Sequence, residues 1–458
     1  MKILILGAGQ VGCAIAEILA NENNDVTVVD DDEKTLAQLR EKLDIQVVLG
    51  KASHPNVLRK AGAKDTDMLI AVTSSDETNM IACQIAYTLF KTPKKIARLR
   101  SSSYMTRQTL FGKDHIPIDV IINPEQLVTN QIKRLVQYPG ATQVLDFADG
   151  KVELVATKAE FGAEMIGHEL RDLVKFNPNL ESRVAAIFRN NQPIIPEGTT
   201  VVEQGDEVFF IAAKDQIKNV IEELQPQHSS KYRNIMIAGG GNIGERLAEA
   251  LETRHNVKII ELNADRTVHL ANHLSKALVL RGSASDETLL VEENISSIDL
   301  FIAVTNDDEA NIMSCLLAKK LGADKVISLI NNPSYADLVQ GGKIDIAISP
   351  KLATISSLLA HIRHGDISRV YSLRRGSAEA IEIIAHGDQK TSKVVGRQIN
   401  QIDLPKSASI GAIVRGDELL IAHHDTVIES DDHVIVFIAD KSDVKAIEEL
   451  FHVAFTFF

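Results

Sequence analysis

KILILGAGQVG, residues 2–12, decides the fold of this chain, and NIMIAGGGNIG, residues 234–244, repeats the decision. In each stretch an apolar run ends on glycines spaced G-x-G-x-x-G, and an apolar-periodic helix pattern follows. The glycines permit a tight turn and let the backbone approach a pyrophosphate, which then meets N–H groups at a helix N-terminus. Candidate contacts are therefore Gly7, Ala8, Gly9, Gln10, Val11 and Gly12 in the first copy. Those of the second are Gly239, Gly240, Gly241, Asn242, Ile243 and Gly244. An acid that accepts ribose hydroxyls should close the next strand. Asp30 in DVTVVD and Glu261 in IIEL stand 18 and 17 residues after the last glycine of their copies.

Working outward, the two stretches belong to one long internal repeat. Gly7 and Gly239 are 232 residues apart, as are Gly50 and Gly282, Thr73 and Thr305, Glu77 and Glu309, Asn79 and Asn311, and Cys83 and Cys315. Further on the offset is 226: Asn123-Pro124 stands against Ser349-Pro350, Arg189 against Arg415, and Glu222-Glu223-Leu224 against Glu448-Glu449-Leu450. The six-residue difference is read as lost between residues 98 and 119. The chain is two copies of a unit of roughly 225–230 residues.

Within the first copy KILILG, DVTVVD, IQVVLG, MLIAVT and KIARL read as strands separated by helical patterns. That alternation predicts an α/β fold with a Rossmann-like, doubly wound parallel sheet. NPEQLVTNQIKRLVQ then reads as a crossover helix, with Asn123 as N-cap and Pro124 at the first helical position. SPKLATISSLLAHI repeats the signal. A small α+β piece follows each crossover, with strands such as VAAIFR and EVFFIAA, a turn at Pro196-Glu197-Gly198 and a closing helix, DQIKNVIEEL. The expected organisation is Rossmann-like 1–123, crossover 124–143, small α+β domain 144–228, Rossmann-like 229–349, crossover 350–367 and small domain 368–458. QPQHSSKYRN, 225–234, is the inter-half linker.

Composition narrows the function. A net charge of −13 argues against nucleic acid as a partner. The three cysteines, Cys13, Cys83 and Cys315, suit a reducing compartment and rule out a disulfide framework. No Cys/His cluster has metal-ligand spacing, so no metal site is expected. The glycine spacing after Lys2 reads as strand and turn rather than secretory signal. No run of 18 apolar residues exists to span a bilayer, so a cytoplasmic protein is expected.

Asp31 and Asp32 follow Asp30 with no arginine nearby. A 2′-phosphate there would meet like charge, costing about 4 kcal/mol for unit charges about 4 Å apart at an effective dielectric of about 20. NAD or NADH is thus favoured over NADP, while ATP or ADP satisfies the same contacts. AVTSSDETNM and AVTNDDEANI end the fourth strand of each copy. Ligands of open parallel sheets sit beyond the carboxyl ends of strands, which places Thr73, Ser74, Thr305 and Asn306 at the pocket. The acids there read as helix caps, with Ser74-x-x-Glu77 and Asn306-x-x-Glu309 as capping boxes. Arg98 and Arg100, in RLR after the fifth strand, are candidate phosphate contacts; Ser328 and Ile330 are read at those places in the second copy. Cys83 and Cys315 read as core residues, and His361 and His364 as surface residues.

ILGAGQVG, VTSSDETNM, VAAIFR, GDEVFFIAA, GGGNIG, VTNDDEANIM, LVQGG and DIAISP, in that order along nearly the whole chain, resemble the RCK (regulator of K⁺ conductance) or KTN domain family. The resemblance implies a cytoplasmic, peripheral regulator that binds NAD(H) and adenine nucleotides and controls a separate, membrane-embedded Trk-type potassium-translocating subunit. It implies a homo-oligomer, expected as a tetrameric ring. It implies NAD contacts at Gly7–Val11, Asp30, Thr73, Ser74 and Arg98, and a second set at Gly239–Ile243 and Glu261. The alternative is an NAD-dependent oxidoreductase. No convergent His/Lys/Asp set in the small domains supplies the acid and base that chemistry needs, so no catalytic residue is expected. A redox-responsive DNA-binding protein fails on charge.

Overall fold

In the computed structural model Lys2–Leu6 (β1) is buried at every position but the first. Asp25–Asp30 (β2), Gln46–Leu49 (β3), Met68–Ala71 (β4), Lys94–Arg98 (β5) and Val120–Ile122 (β6) run parallel with it in the order β3-β2-β1-β4-β5-β6. β4 is buried along its whole length, as a parallel sheet covered on both faces requires. The order reverses between β1 and β4, the place where doubly wound sheets open a ligand crevice. Helices Gln10–Asn21 (α1), Glu33–Lys42 (α2), Pro55–Lys60 (α3) and Asp76–Ile85 (α4) cross between strands. α1 buries Val11, Ile15 and Leu19, one stripe at helical spacing.

The structure describes residues 1–22, 24–172, 182–190, 192–225, 231–332, 334–335, 339, 342–363, 366–373 and 378–453. Met1–Leu127 with Ala353–Leu358 makes one compact unit, and Val128–Leu352 with Leu359–Phe458 the other. Residues 226–230 of the expected linker, His364, and positions 338, 340 and 341 of LVQGG lie outside the described residues.

Helix Pro124–Gln137 (α5) starts as its sequence predicts: Asn123 Oδ1 accepts from the Gln126 N–H at 2.8 Å. It ends at Gln137 and Ala141–Phe147 (β7) follows, three residues before the boundary expected at 144. β7, Val152–Lys158 (β8), Ser182–Arg189 (β9), Gln192–Ile194 (β10) and Glu207–Ala213 (β11) form an antiparallel sheet ordered β10-β9-β11-β8-β7. Helix Ile217–Leu224 (α6) closes it, burying Ile217, Val220, Ile221 and Leu224.

The second copy repeats both layers. Asn234–Ala238 (β12), Asn256–Glu261 (β13), Leu278–Arg281 (β14), Leu300–Ala303 (β15), Lys325–Leu329 (β16) and Ile346–Ile348 (β17) form a parallel sheet ordered β14-β13-β12-β15-β16-β17. Helices Asn242–Leu251 (α7), Ala264–His273 (α8), Glu287–Glu292 (α9) and Asp308–Lys320 (α10) cross between strands. Pro350–Ile362 (α11), capped by Ser349, leads to the second small sheet. Ile367–Leu373 (β18), Ala378–Ile384 (β19), Ala408–Arg415 (β20), Glu418–Ile421 (β21) and His433–Ile438 (β22) build it in the order β18-β19-β22-β20-β21. The two small sheets share a core, in which Phe147 meets Tyr371 edge-on at 5.2 Å. The repeated arginines are structural: Arg189 grips buried Asp206, and Arg415 grips buried Asp432, each through two hydrogen bonds.

The structure corrects one register. Ala71 pairs with Ala97, and Ala303 with Ser328, so the offset has already fallen to 231 at the fifth strand. One of the six missing residues is therefore lost before residue 94. The cause is local: after α4 the first copy continues as a π-helical turn, Ala86–Phe90, where α10 of the second copy runs on as regular α-helix. A π turn accommodates one extra residue. The counterpart of Arg98 is thus Leu329, not Ser328, and that of Arg100 is Asn331, not Ile330; Ser328 matches Ala97.

Candidate functional site

The first glycine loop is shaped by what lies beneath it. Gly7 has φ +104°, and a Cβ there would stand 2.9 Å from the Thr73 nitrogen. A Cβ on Gly12 would stand 1.9 Å from the Gly7 carbonyl oxygen. Only glycine allows the β1 turn, the β4 end and the first turn of α1 to come this close. Gly239 repeats the geometry against Thr305, and Gly244 against the Gly239 carbonyl oxygen. Gly9 and Gly241, the N-cap residues of α1 and α7, make no side-chain cap hydrogen bond, which leaves the first helical N–H groups to an anion. Gln10 and Asn242 are exposed at these helix starts, whereas Ala8 and Val11 are buried and Ile243 is half-buried.

The acids expected to meet ribose sit at the loops. Asp30 Oδ2 accepts from the Ala8 N–H at 2.6 Å, and Glu261 Oε2 from the Gly240 N–H at 2.7 Å. The other oxygen of each accepts from a backbone N–H two residues on, Asp32 and Asn263.

At the end of β4, Thr73 is gathered in by a residue to which sequence reading assigned no role. Asn79 is fully buried in α4. Its Oδ1 accepts from the Thr73 N–H at 3.0 Å and from the Thr73 hydroxyl at 2.7 Å, and its Nδ2 donates to the Arg98 carbonyl at 2.9 Å. Asn311 does the same for Thr305 and the Leu329 carbonyl. The signal was its recurrence at the 232 offset on an otherwise apolar helix face. Ser74 and Asn306 are exposed in the loops beyond.

Arg98 and Arg100 part company. Arg98 donates through Nη2 to the Thr73 carbonyl at 2.9 Å, while its Nε is buried with no hydrogen-bond partner. Burial, and then the positive Arg100 beside it, lower the pKa of its guanidinium from the ordinary arginine value. Glu125 and Asp76 offset only part of that burial. Arg100 instead donates to Glu125 at 2.8 Å, and its backbone N–H is held by Asp76. The fifth-strand pair thus brings one arginine, not two, toward Thr73.

The capping boxes expected at Ser74 and Asn306 do not form. The caps are one residue later: Ser75 accepts from the Thr78 N–H and Asp307 from the Ala310 N–H. Asp76 and Asp308 accept from backbone N–H groups just beyond the fifth strand, at Arg100 and Ser101 and at Asn331 and Asn332. Glu77 accepts from the Tyr104 hydroxyl, and Glu309 from the Tyr335 hydroxyl. All four acids hold loops in place.

The second loop has a different surround. Arg266 donates to the Gly240 carbonyl at 2.6 Å and to Glu245 at 2.5 Å, and His269 joins Glu245 at 2.9 Å. In the first copy the equivalent carbonyl, Ala8, accepts from the Cys13 thiol at 2.8 Å. Cys83 and Cys315 are fully buried, and burial pushes both thiols up to about 12.

Known proteins share this order of domains. The TrkA-N domain model matches residues 3–124 and 235–350, and the TrkA-C domain model matches 155–225 and 389–452. The Trk system potassium uptake protein TrkA of Halomonas elongata is 58% identical over 458 residues, covering 100% of both chains. This chain belongs to the TrkA family of potassium-uptake proteins. It is a regulatory protein of potassium transport, not an enzyme. The TrkA protein of Vibrio alginolyticus is 56% identical over 452 residues, 98% of each chain. Among solved structures, the GsuK channel bound to NAD superposes with a TM-score of 0.61 at 18% identity, covering 98% of this TrkA-family chain and 78% of the channel chain. That likeness is one of fold. Among the described residues no helix is long and apolar enough to cross a membrane.

Proposed function

We propose that this chain is a cytoplasmic sensor of NAD(H) that gates a membrane-embedded Trk-type potassium transporter. The observation that carries the reading is Arg98. A half-buried guanidinium with an unpartnered Nε, beside the Thr73 backbone that underlies Gly7, suits the pyrophosphate of a dinucleotide. The Gly7, Ala8, Gly9, Gln10, Val11 and Gly12 loop would present N–H groups to it, and Asp30 would exchange its Ala8 contact for ribose hydroxyls. Asp31 and Asp32 disfavour a 2′-phosphate. Thr73 and Ser74 line the β4 edge; Thr305 and Asn306 line its counterpart.

Gating follows from differential affinity. A nucleotide that prefers one conformation tenfold contributes about 1.4 kcal/mol per site, and four sites of a tetrameric ring about 5.5 kcal/mol, enough to carry a 1:99 equilibrium to 99:1. Exposed Ile81 and Met313, at one helical position of the two copies, suit contacts within such a homo-oligomer. The test is calorimetric titration with NADH, with Asp30→Ala as the control, followed by co-purification with the membrane transporter. Saturable binding that the substitution weakens supports the reading; binding indifferent to Asp30→Ala overturns it.

A further inference from the structure

We propose that His269 and His273, on the exposed side of α8 in the second copy, form a binding site for a divalent transition-metal cation of the zinc class. HLANH, residues 269–273, does not register as a metal motif in the sequence, because it holds only two ligands and the group that orients them lies on α7, 24 residues back.

The two histidines stand one turn apart on α8, at i and i+4, and so project from one side of the helix. Leu270 anchors α8 in the core, while both rings are exposed. The rings lie nearly parallel, 12° between their planes, with centroids 5.8 Å apart. Two imidazoles that bind one ion, each at about 2.0–2.1 Å from nitrogen, hold their rings at roughly this separation. Glu245 Oε1 lies 2.9 Å from His269 Nε2. A carboxylate only accepts, so in the neutral ring Nε2 carries the proton and Nδ1 keeps its lone pair. A metal-binding histidine has this arrangement, with one nitrogen donating to a carboxylate and the other taking the ion. Glu245 is itself fixed by Arg266 at 2.5 Å, and Arg266 by the Gly240 carbonyl at 2.6 Å. The His269 ring is therefore held before any ion arrives. His273 is the last residue of α8, where the helix dipole favours positive charge.

The donors select the ion. Imidazole nitrogen suits zinc, nickel and copper, whereas magnesium and calcium take oxygen ligands. Among the described residues no third histidine, cysteine or carboxylate converges with the pair as a ligand, so water completes the shell. A site with two protein ligands and open positions exchanges its ion, which suits sensing better than structural support. Counted from the helix starts, the first copy has Gln38, Lys42 and Cys13 at the places of His269, His273 and Glu245. The site belongs to the second copy alone, and Glu245 and Arg266 connect it to the Gly240 carbonyl.

Calorimetric titration of the chelator-treated full-length protein with zinc chloride, in potassium and magnesium salts, decides it. Expected is one zinc ion per chain. Glu245→Gln should weaken it about tenfold, with thermal denaturation showing the chain folded. His269→Ala and His273→Ala, at exposed positions that leave the fold alone, should each weaken it at least as much, since each removes one of two ligands. His423→Ala, at an exposed histidine of the second small domain, should leave it unchanged. Copper(II) in place of zinc should show two imidazole nitrogens by electron paramagnetic resonance in the wild type and one in His273→Ala. Absence of zinc binding overturns the proposal, as does binding that neither His269→Ala nor His273→Ala alters. Binding that His423→Ala weakens as much as His273→Ala does is an adventitious ion only, and also overturns it.

Discussion

The Asn79 side-chain amide donates to the Arg98 carbonyl at 2.9 Å while its oxygen holds the Thr73 N–H and hydroxyl, so one buried side chain ties the ends of β4 and β5 together. The groups it satisfies are backbone polar atoms beside the glycine loop. Asn79→Ala leaves them buried and unpaired, at about 1–3 kcal/mol each. Asn79→Asp keeps the acceptor and loses the donor. Expected is a lowered melting temperature for both, greater for alanine, together with weaker NADH binding, read by thermal denaturation and calorimetry.

Arg98 and Arg100 should separate in binding. Arg98→Ala removes a guanidinium whose Nε has no partner in the chain, and NADH affinity should fall about 10- to 100-fold. Arg100 is half exposed and committed to Glu125. Arg100→Ala should change affinity by no more than about threefold, since exposed pairs contribute little. Equal losses in the two variants would return Arg100 to the phosphate site.

Two glycines of one loop should fail differently. Gly12→Ala places a methyl 1.9 Å from the Gly7 carbonyl oxygen and should destabilise the first unit by about 1–3 kcal/mol or prevent its folding. At Gly9 a Cβ meets nothing within 4 Å. Gly9→Ala should melt near the wild-type temperature yet bind NADH poorly, because the methyl occupies the space a pyrophosphate would use.

Acid sensitivity of the second unit should trace to Glu252. Burial would raise its pKa, but the N–H groups of Ser275, Lys276 and Ala277 outweigh that and hold it below its ordinary 4.5. A depressed carboxylate adds stability that is present above the unfolded pKa and is lost as pH falls through the folded one. Glu252→Gln should therefore melt lower than wild type near about pH 7, with the gap narrowing below the ordinary glutamate value. A gap independent of pH would show that the loss is one of packing.

Thiol counting tests the core. Cys83 and Cys315 are fully buried with thiols pushed up to about 12, while Cys13 is only half-buried. A thiol reagent should modify one cysteine per native chain, Cys13, and all three once the chain is denatured. Rapid modification of a second native thiol would contradict the packing of α4 or α10.

Much of this was legible in the chain alone, because it depends on local pattern. G-x-G-x-x-G after an apolar strand allows few turns. Strand and helix periods alternate, and Gly7, Gly50, Thr73 and Asn79 of the first half recur in the second as Gly239, Gly282, Thr305 and Asn311. Asn123-Pro124 and Ser349-Pro350 announced their helices because a cap and a first-turn proline act within one turn. What tertiary structure decided depends on which residues lie across from one another. A single extra residue in the Ala86–Phe90 π turn shifts the fifth strand, so Leu329 rather than Ser328 stands in for Arg98. Glu125 claims Arg100 from 25 residues away, and Arg266 reaches back to Gly240 across 26. Neither spacing is a local signal. The twin fingerprints told that the same strand–glycine-loop–helix turn is built twice in this fold; only the packed side chains around them show that the two loops are held, and charged, differently.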